Sequence, residues 1–218
     1  MKLARRLAAE GLGSFFLFAT VIGSGVMAEN LSGGNLAVAL LGNTLATGAI
    51  LFVLITILGP ISGAHLNPAV SLVMARRGEL EWKEFAAFVA VQLAGGVLGA
   101  FAVHLMFDLP ILQYSLKARS GVGQWVGEFV ATFGLVLTIL GTVRHRPAWV
   151  PATVALYITA AYWFTSSTSF ANPAITIVRS LSNSFAGIAP INVPAFVVAQ
   201  VLGAMVGGWT AKLLFVEA

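Results

Sequence analysis

The sequence predicts an all-α integral membrane protein, built from six membrane-crossing helices and two shorter segments that enter the membrane and turn back. Three observations carry this. Of 218 residues, 58% are hydrophobic and only 9% charged, against roughly 25% charged in a soluble domain; the mean hydropathy is +0.92. Six apolar runs are long enough to cross a bilayer, which takes roughly 20 residues each. Finally, two copies of Asn-Pro-Ala, at Asn67-Pro68-Ala69 and Asn172-Pro173-Ala174, sit in polar intervals between such runs.

In chain order the runs lie near 5–28, 36–58, 82–107, 122–143, 149–166 and 193–215. The first follows Lys2, Arg5 and Arg6 and resembles a secretory signal, but it exceeds a usual signal core and has a counterpart later in the chain, so it is read as the first span. Residues 59–77, between the second and third runs, and residues 165–191, between the fifth and sixth, each hold one Asn-Pro-Ala. Asn caps helix starts, and Pro is tolerated at the first helical position, where its missing N–H has no partner to lose. Each copy therefore reads as the start of a short helix. Trp125, Trp149, Trp163 and Trp209 fall near span ends, as interfacial anchors do.

The two halves repeat. Ala9-Glu10-Gly11 opens the first and Gly127-Glu128-Phe129 the second; each then has its Asn-Pro-Ala, and each closes on Gln-x-x-Gly-x-x-x-Gly, at Gln92, Gly95 and Gly99 and at Gln200, Gly203 and Gly207. The chain reads as one channel domain, 1–218, made of repeats 1–120 and 121–218. Three spans per half force the second half to enter from the opposite face, an inverted repeat. With both termini inside, nine of the twelve Lys and Arg residues are cytoplasmic, leaving Lys117, Arg119 and Arg179 outside, as the positive-inside rule requires. The expected location is the plasma (inner) membrane.

A segment that starts a helix at membrane depth exposes irregular backbone, which lipid does not tolerate, so it must line an aqueous cavity or be buried in protein. Entering from opposite faces, the helix starts at Asn67 and Asn172 meet near the midplane with both positive dipole ends aimed at one point. Their amides offer N–H donors to a passing oxygen, while the dipoles oppose cations and protons. Water or a small neutral solute is the expected cargo.

These Asn-Pro-Ala copies, the preceding Ser62-Gly63-Ala64-His65, the glutamate opening each half and the closing Gln-x-x-Gly segments resemble the aquaporin and glycerol-facilitator family over nearly the whole chain. The resemblance implies a bundle of six helices plus two half-helices, a pore in each subunit and a homotetramer. It also implies that Glu10 and Glu128 hold the re-entrant loops by accepting hydrogen bonds; the competing role for a buried carboxylate is ion coupling. His65 either fixes its loop or lines the cytoplasmic half of the pore.

Water-passing members of that family carry an outer constriction of four side chains, usually with a large aromatic on span two, a His or small residue on span five, and an Arg three residues after the second Asn. Matched by spacing, the positions here are Thr47, Ala160, Ser169 and Ile175. The constriction is thus expected to be wide and without its fixed positive charge. Arg179, one helical turn beyond Ile175 and about 6 Å farther out, either lines the outer vestibule or anchors to headgroups or the loop. The stretch from Asn172 to Ser180, with Phe185 to Pro190, is similar to the bacterial aquaporin branch often encoded beside arsenic-resistance genes, which implies a route for neutral arsenous acid and larger arsenicals.

Other classes fit less well. An ion-coupled transporter also uses inverted repeats and broken helices but would need Glu10 or Glu128 to titrate. With no cysteine and no recognisable metal-ligand or nucleophile spacing, neither an enzyme nor a cofactor is expected. The formal charge of +4 sits at the ends of apolar runs and reports topology, not a nucleic-acid partner.

Overall fold

The structure, a computed structural model, describes residues 1–215; the last three residues assigned to the second repeat, and so the end of the C-terminus expected on the cytoplasmic side, lie outside the described residues. Among the described residues eight α-helices follow one another: α1 Leu3–Leu31, α2 Leu36–Ser62, α3 Pro68–Arg76, α4 Trp82–Met106, α5 Val122–His145, α6 Val150–Phe164, α7 Pro173–Arg179 and α8 Val193–Phe215. Five of them are long and apolar enough to cross a membrane. The expected sixth span, 149–166, is shorter as α-helix: α6 has 15 residues and is extended at its start by a 3-10 turn, Pro147–Trp149. At 1.5 Å per residue the 9 residues of α3 and the 7 of α7 reach about 13 and 10 Å, under half of a ~30 Å hydrocarbon core. They are half-helices.

Local chemistry sets the ends. Asn35 caps α2 through Oδ1, which accepts from the backbone N–H groups of Ala37 and Val38 at 3.0 and 3.2 Å. Gly63, at φ +92°, ends the same helix in a left-handed conformation that glycine adopts without a Cβ penalty. Many large apolar side chains, among them Phe16, Leu98, Leu156 and Leu202, are exposed, as expected of surfaces that face acyl chains or another apolar surface.

The repeat landmarks pack the core. α1 lies against α4, and α5 against α8. A Cβ added at Gly95 would fall on the carbonyl oxygen of Gly11, and one at Gly203 on that of Phe129. The same relation joins Gly99 to Phe15 and Gly207 to Phe133. Each helix pair is therefore drawn together backbone to backbone, as small residues permit in membranes. Gly95→Val is expected to lower the melting temperature in detergent through overpacking, which costs about 1–3 kcal/mol. Gly123→Ala, whose added Cβ would meet only Ser166 Oγ at 3.9 Å, should leave melting nearly unchanged; equal effects would contradict the packing argument.

Candidate functional site

The two half-helices meet end to end. Asn67 Oδ1 accepts from Ala69 N at 2.9 Å, and Asn172 Oδ1 from Ala174 N at 3.0 Å and Ile175 N at 3.3 Å. Each asparagine thus caps its own helix. Their Nδ2 atoms then cross over, that of Asn67 donating to the Ala171 carbonyl and that of Asn172 to the Leu66 carbonyl, both at 2.8 Å. An amide nitrogen carries two N–H bonds. With one spent across the junction and the oxygen spent on the cap, what each asparagine offers the cavity it lines is a single remaining donor.

The loops leading into these helices are strained in matched places. Ala64 and Leu66 in the first, and Ser169 and Ala171 in the second, have φ between 47° and 49°, which costs an L-residue about 1–2 kcal/mol each. Two buried carboxylates hold them there. Glu10 accepts from Ser62 Oγ at 2.7 Å, His65 N at 2.9 Å, Leu66 N at 2.7 Å and Gln92 Nε2 at 2.8 Å. Glu128 accepts from Phe170 N at 2.8 Å, Ala171 N at 2.9 Å and Gln200 Nε2 at 2.6 Å. Because C=O and N–H point opposite ways across a trans peptide, turning these N–H groups toward the glutamates turns the carbonyls of residues 64, 65, 169 and 170 the other way. These four residues line the cavity, so the carbonyls supply acceptors along one wall. His65 both fixes its loop, through Nδ1 and Ser71 Oγ at 3.0 Å, and lines the cavity near Arg6.

The cavity has a volume of about 330 Å³ and runs from Arg6 and Glu79 at one end, past His65 and the two asparagines, to Tyr162 and Arg179 at the other. The opposite wall is apolar, with Val21, Leu51, Ile55, Val70, Leu135 and Ile158 among its residues. Of the four expected constriction positions, Thr47, Ser169 and Ile175 are on the cavity wall. Ala160 is not: it is exposed on the outer surface of α6, and the residue that reaches the cavity is Tyr162, whose hydroxyl lies 3.2 Å from Thr47 Oγ1. Two residues along a helix is a rotation of about 200°, so spacing counted back from Asn172 lands on the opposite face.

Arg179 both lines the cavity and bonds the loop. It is only 2% exposed, which excludes a headgroup anchor, and it lines the same cavity as Ile175. Its Nε donates to the Ala186 carbonyl, and its guanidinium lies 3.3 Å from the centre of the Phe170 ring. Side chains on a helix lean toward its N-terminus, over the preceding turn, so Arg179 reaches back toward the level that Ile175 vacates. The wall is therefore not stripped of bulk or of positive charge. Arg119, not singled out from the sequence beyond its outer position, is buried beside it, with Nε donating to Gly187 O at 2.8 Å and its guanidinium 5.0 Å from the same ring.

A helical bundle crossed by a continuous cavity, with two half-helices meeting inside it, defines a membrane channel for water and small solutes. The chain belongs to the major intrinsic protein family, whose model matches residues 1–166. AqpS of Rhizobium meliloti, an aquaglyceroporin, is 57% identical over 203 residues, covering 93% of this chain and 87% of that relative. Aquaporin NIP1-1 of Oryza sativa is 30% identical over 219 residues, covering 96% and 74%. In fold the chain is similar to the X-ray structure of the aquaglyceroporin from Plasmodium falciparum, with a TM-score of 0.74 at 21% identity, covering 98% of this chain and 97% of that one. As a member of this family the chain is a multi-pass membrane channel and not an enzyme.

Proposed function

We propose that this chain is a passive channel for small neutral polyhydroxyl solutes, glycerol and arsenous acid among them, with water and larger arsenicals as further cargo. The observation that carries the reading is the two-sided cavity. One wall offers the donors of Asn67 and Asn172 and a row of loop carbonyls, and the other is aliphatic. A glycerol-sized molecule with hydroxyls on one face matches both walls at once, and the aquaglyceroporin name of the 57% identical relative supports the same size class. In this reading Thr47, Tyr162, Ser169, Ile175 and Arg179 form the constriction. The repeats are 1–120 and 121–218, both termini are cytoplasmic in the plasma membrane, and four subunits assemble as the family resemblance implies.

A second reading, a water-selective channel, draws on Tyr162 and Arg179, which add bulk and charge at the constriction. Stopped-flow light scattering on proteoliposomes separates the two by comparing osmotic water flow with glycerol and arsenous acid entry. Fast solute entry, saturation-free and indifferent to an imposed proton gradient, is expected. Fast water flow with both solutes excluded would establish the narrower channel, and uphill solute movement driven by protons would establish a coupled transporter.

A further inference from the structure

The outer mouth, outer on the orientation proposed above, gathers the three basic residues of that face around one loop. Lys117 Nζ donates to the Phe185 carbonyl at 2.7 Å, Arg119 to those of Gly187 and Phe185 at 2.8 and 3.4 Å, and Arg179 to that of Ala186. Their partners are neutral carbonyls. The acids nearby are engaged elsewhere: Glu29 accepts from Phe185 N at 3.0 Å, and Glu128 holds the second re-entrant loop. Among the described residues neither forms an ion pair with the three cations. Burial, and then the positive charge of Arg119, push the Lys117 ammonium down to about 8, against the opposing charge of Glu29.

The two arginines differ in what they leave open. Arg119 places all three nitrogens on acceptors, Nη1 reaching Ser167 O at 3.3 Å and Thr168 Oγ1 at 3.5 Å. Arg179, equally withdrawn from the exterior, has one hydrogen bond, through Nε. Neither of its terminal nitrogens has a partner among the described residues, and neither is sealed from the cavity. Phe170 covers a face of the guanidinium, and the Ala186 carbonyl takes the Nε. Four terminal N–H bonds remain, and the two on the end-on edge are coplanar donors that fit the two oxygens of a planar oxyanion.

We propose that the outer mouth is a binding site for a small planar monoanion, a carboxylate or a comparable oxyanion, seated end-on on Arg179. The site goes beyond the neutral-solute reading. An anion held there occupies the constriction, while the aliphatic wall beyond it, which offers nothing to replace lost hydration, opposes passage in charged form. External oxyanions therefore regulate the channel by occlusion.

The test uses the full-length protein at pH 7 with sodium formate equal on both sides of the liposome, replaced by sodium chloride at matched ionic strength in the control. Formate is expected to halve channel-mediated water flow at about 10 mM, the range accessible to a single charge-assisted fork, with little effect of chloride. Arg179→Lys keeps the charge and removes the fork, and should abolish the formate effect; Arg179→Gln should do the same if it folds. Line broadening of 13C-formate by the detergent-solubilised protein reports binding without flux. Wild-type broadening that is lost in Arg179→Lys, with no water flow, would sink the channel reading and leave the site standing. Water flow indifferent to formate without broadening, inhibition equal for formate and chloride, or undiminished inhibition in Arg179→Lys would each overturn the site.

Discussion

Glu10→Gln is expected to eliminate channel-mediated glycerol flux and to lower the melting temperature more than any other single conservative change in the chain. Glu10 is fully buried and takes four donors, which fills the roughly four lone-pair sites of a carboxylate. An amide in its place keeps one acceptor oxygen and turns an NH2 toward groups that already donate. Each buried donor left without an acceptor costs about 1–3 kcal/mol. The loop it releases holds Ala64 and Leu66 in left-handed conformations, so the strain relaxes and Asn67 loses its register with Ala171. Glu128→Gln should act in the same direction but less, because Glu128 holds three donors. Thermal unfolding in detergent beside liposome flux checks the order. Full glycerol flux with an unchanged melting temperature in Glu10→Gln would refute the loop-holding role.

The same commitment separates the channel from a coupled transporter. Neither glutamate lines the cavity, and in both the two carboxylate oxygens face donors supplied by the protein. A coupling site needs a group that exchanges partners with solvent or cargo during transport, whereas here the carboxylates fix backbone. The paired architecture repeats this in detail: Gln92 bridges Glu10 to Ser71 Oγ at 3.2 Å, and Gln200 bridges Glu128 to Thr176 Oγ1 at 2.8 Å. A rigid, doubly tied junction suits a pore that is continuously open to small solutes.

Much of this was legible in the sequence because it rests on short-range rules. Asn followed by Pro caps and starts a helix wherever it occurs, and a carboxylate at membrane depth demands partners. The glycines of Gln-x-x-Gly-x-x-x-Gly fall at helical spacing on one face, so the close approach of α4 to α1 and of α8 to α5 follows from them. The constriction was less legible, for two physical reasons. α6 is apolar on nearly every face, so periodicity cannot say which side meets lipid. Counting back from Asn172 to Ala160 assumes a loop length between α6 and α7 that the sequence does not supply, and residues 165–171 turn through left-handed conformations at Thr168, Ser169 and Ala171. Arg179 was placed by its Cα, one turn outward, although a long side chain covers the turn behind it. Tyr162 could have been found from the inward series Val154, Ile158, Ala161 and Tyr162, had the phase of α6 been known.

Ile175→Arg is expected to reduce glycerol entry at least tenfold and water flow much less, because it adds a second guanidinium to a wall that already holds one. Ile175 is buried on the cavity surface, and Arg179 leans back over the same turn toward Phe170. Side chains one turn apart stand roughly 6 Å from each other. At an effective dielectric near 20, two like charges at that separation repel by about 2–3 kcal/mol, and the Ala186 carbonyl that holds Arg179 cannot serve both. The single variant should therefore be less stable as well as more selective. Arg179→Gln added to Ile175→Arg removes the repulsion while leaving one cation at the constriction, and should restore the melting temperature without restoring glycerol entry. Equal losses of water and glycerol in the single variant would mean that Ile175 does not stand where solutes are sorted by size. Glycerol entry recovered in the double variant would instead mean that exclusion needs both guanidinium groups at once and not the arginine at 175 alone.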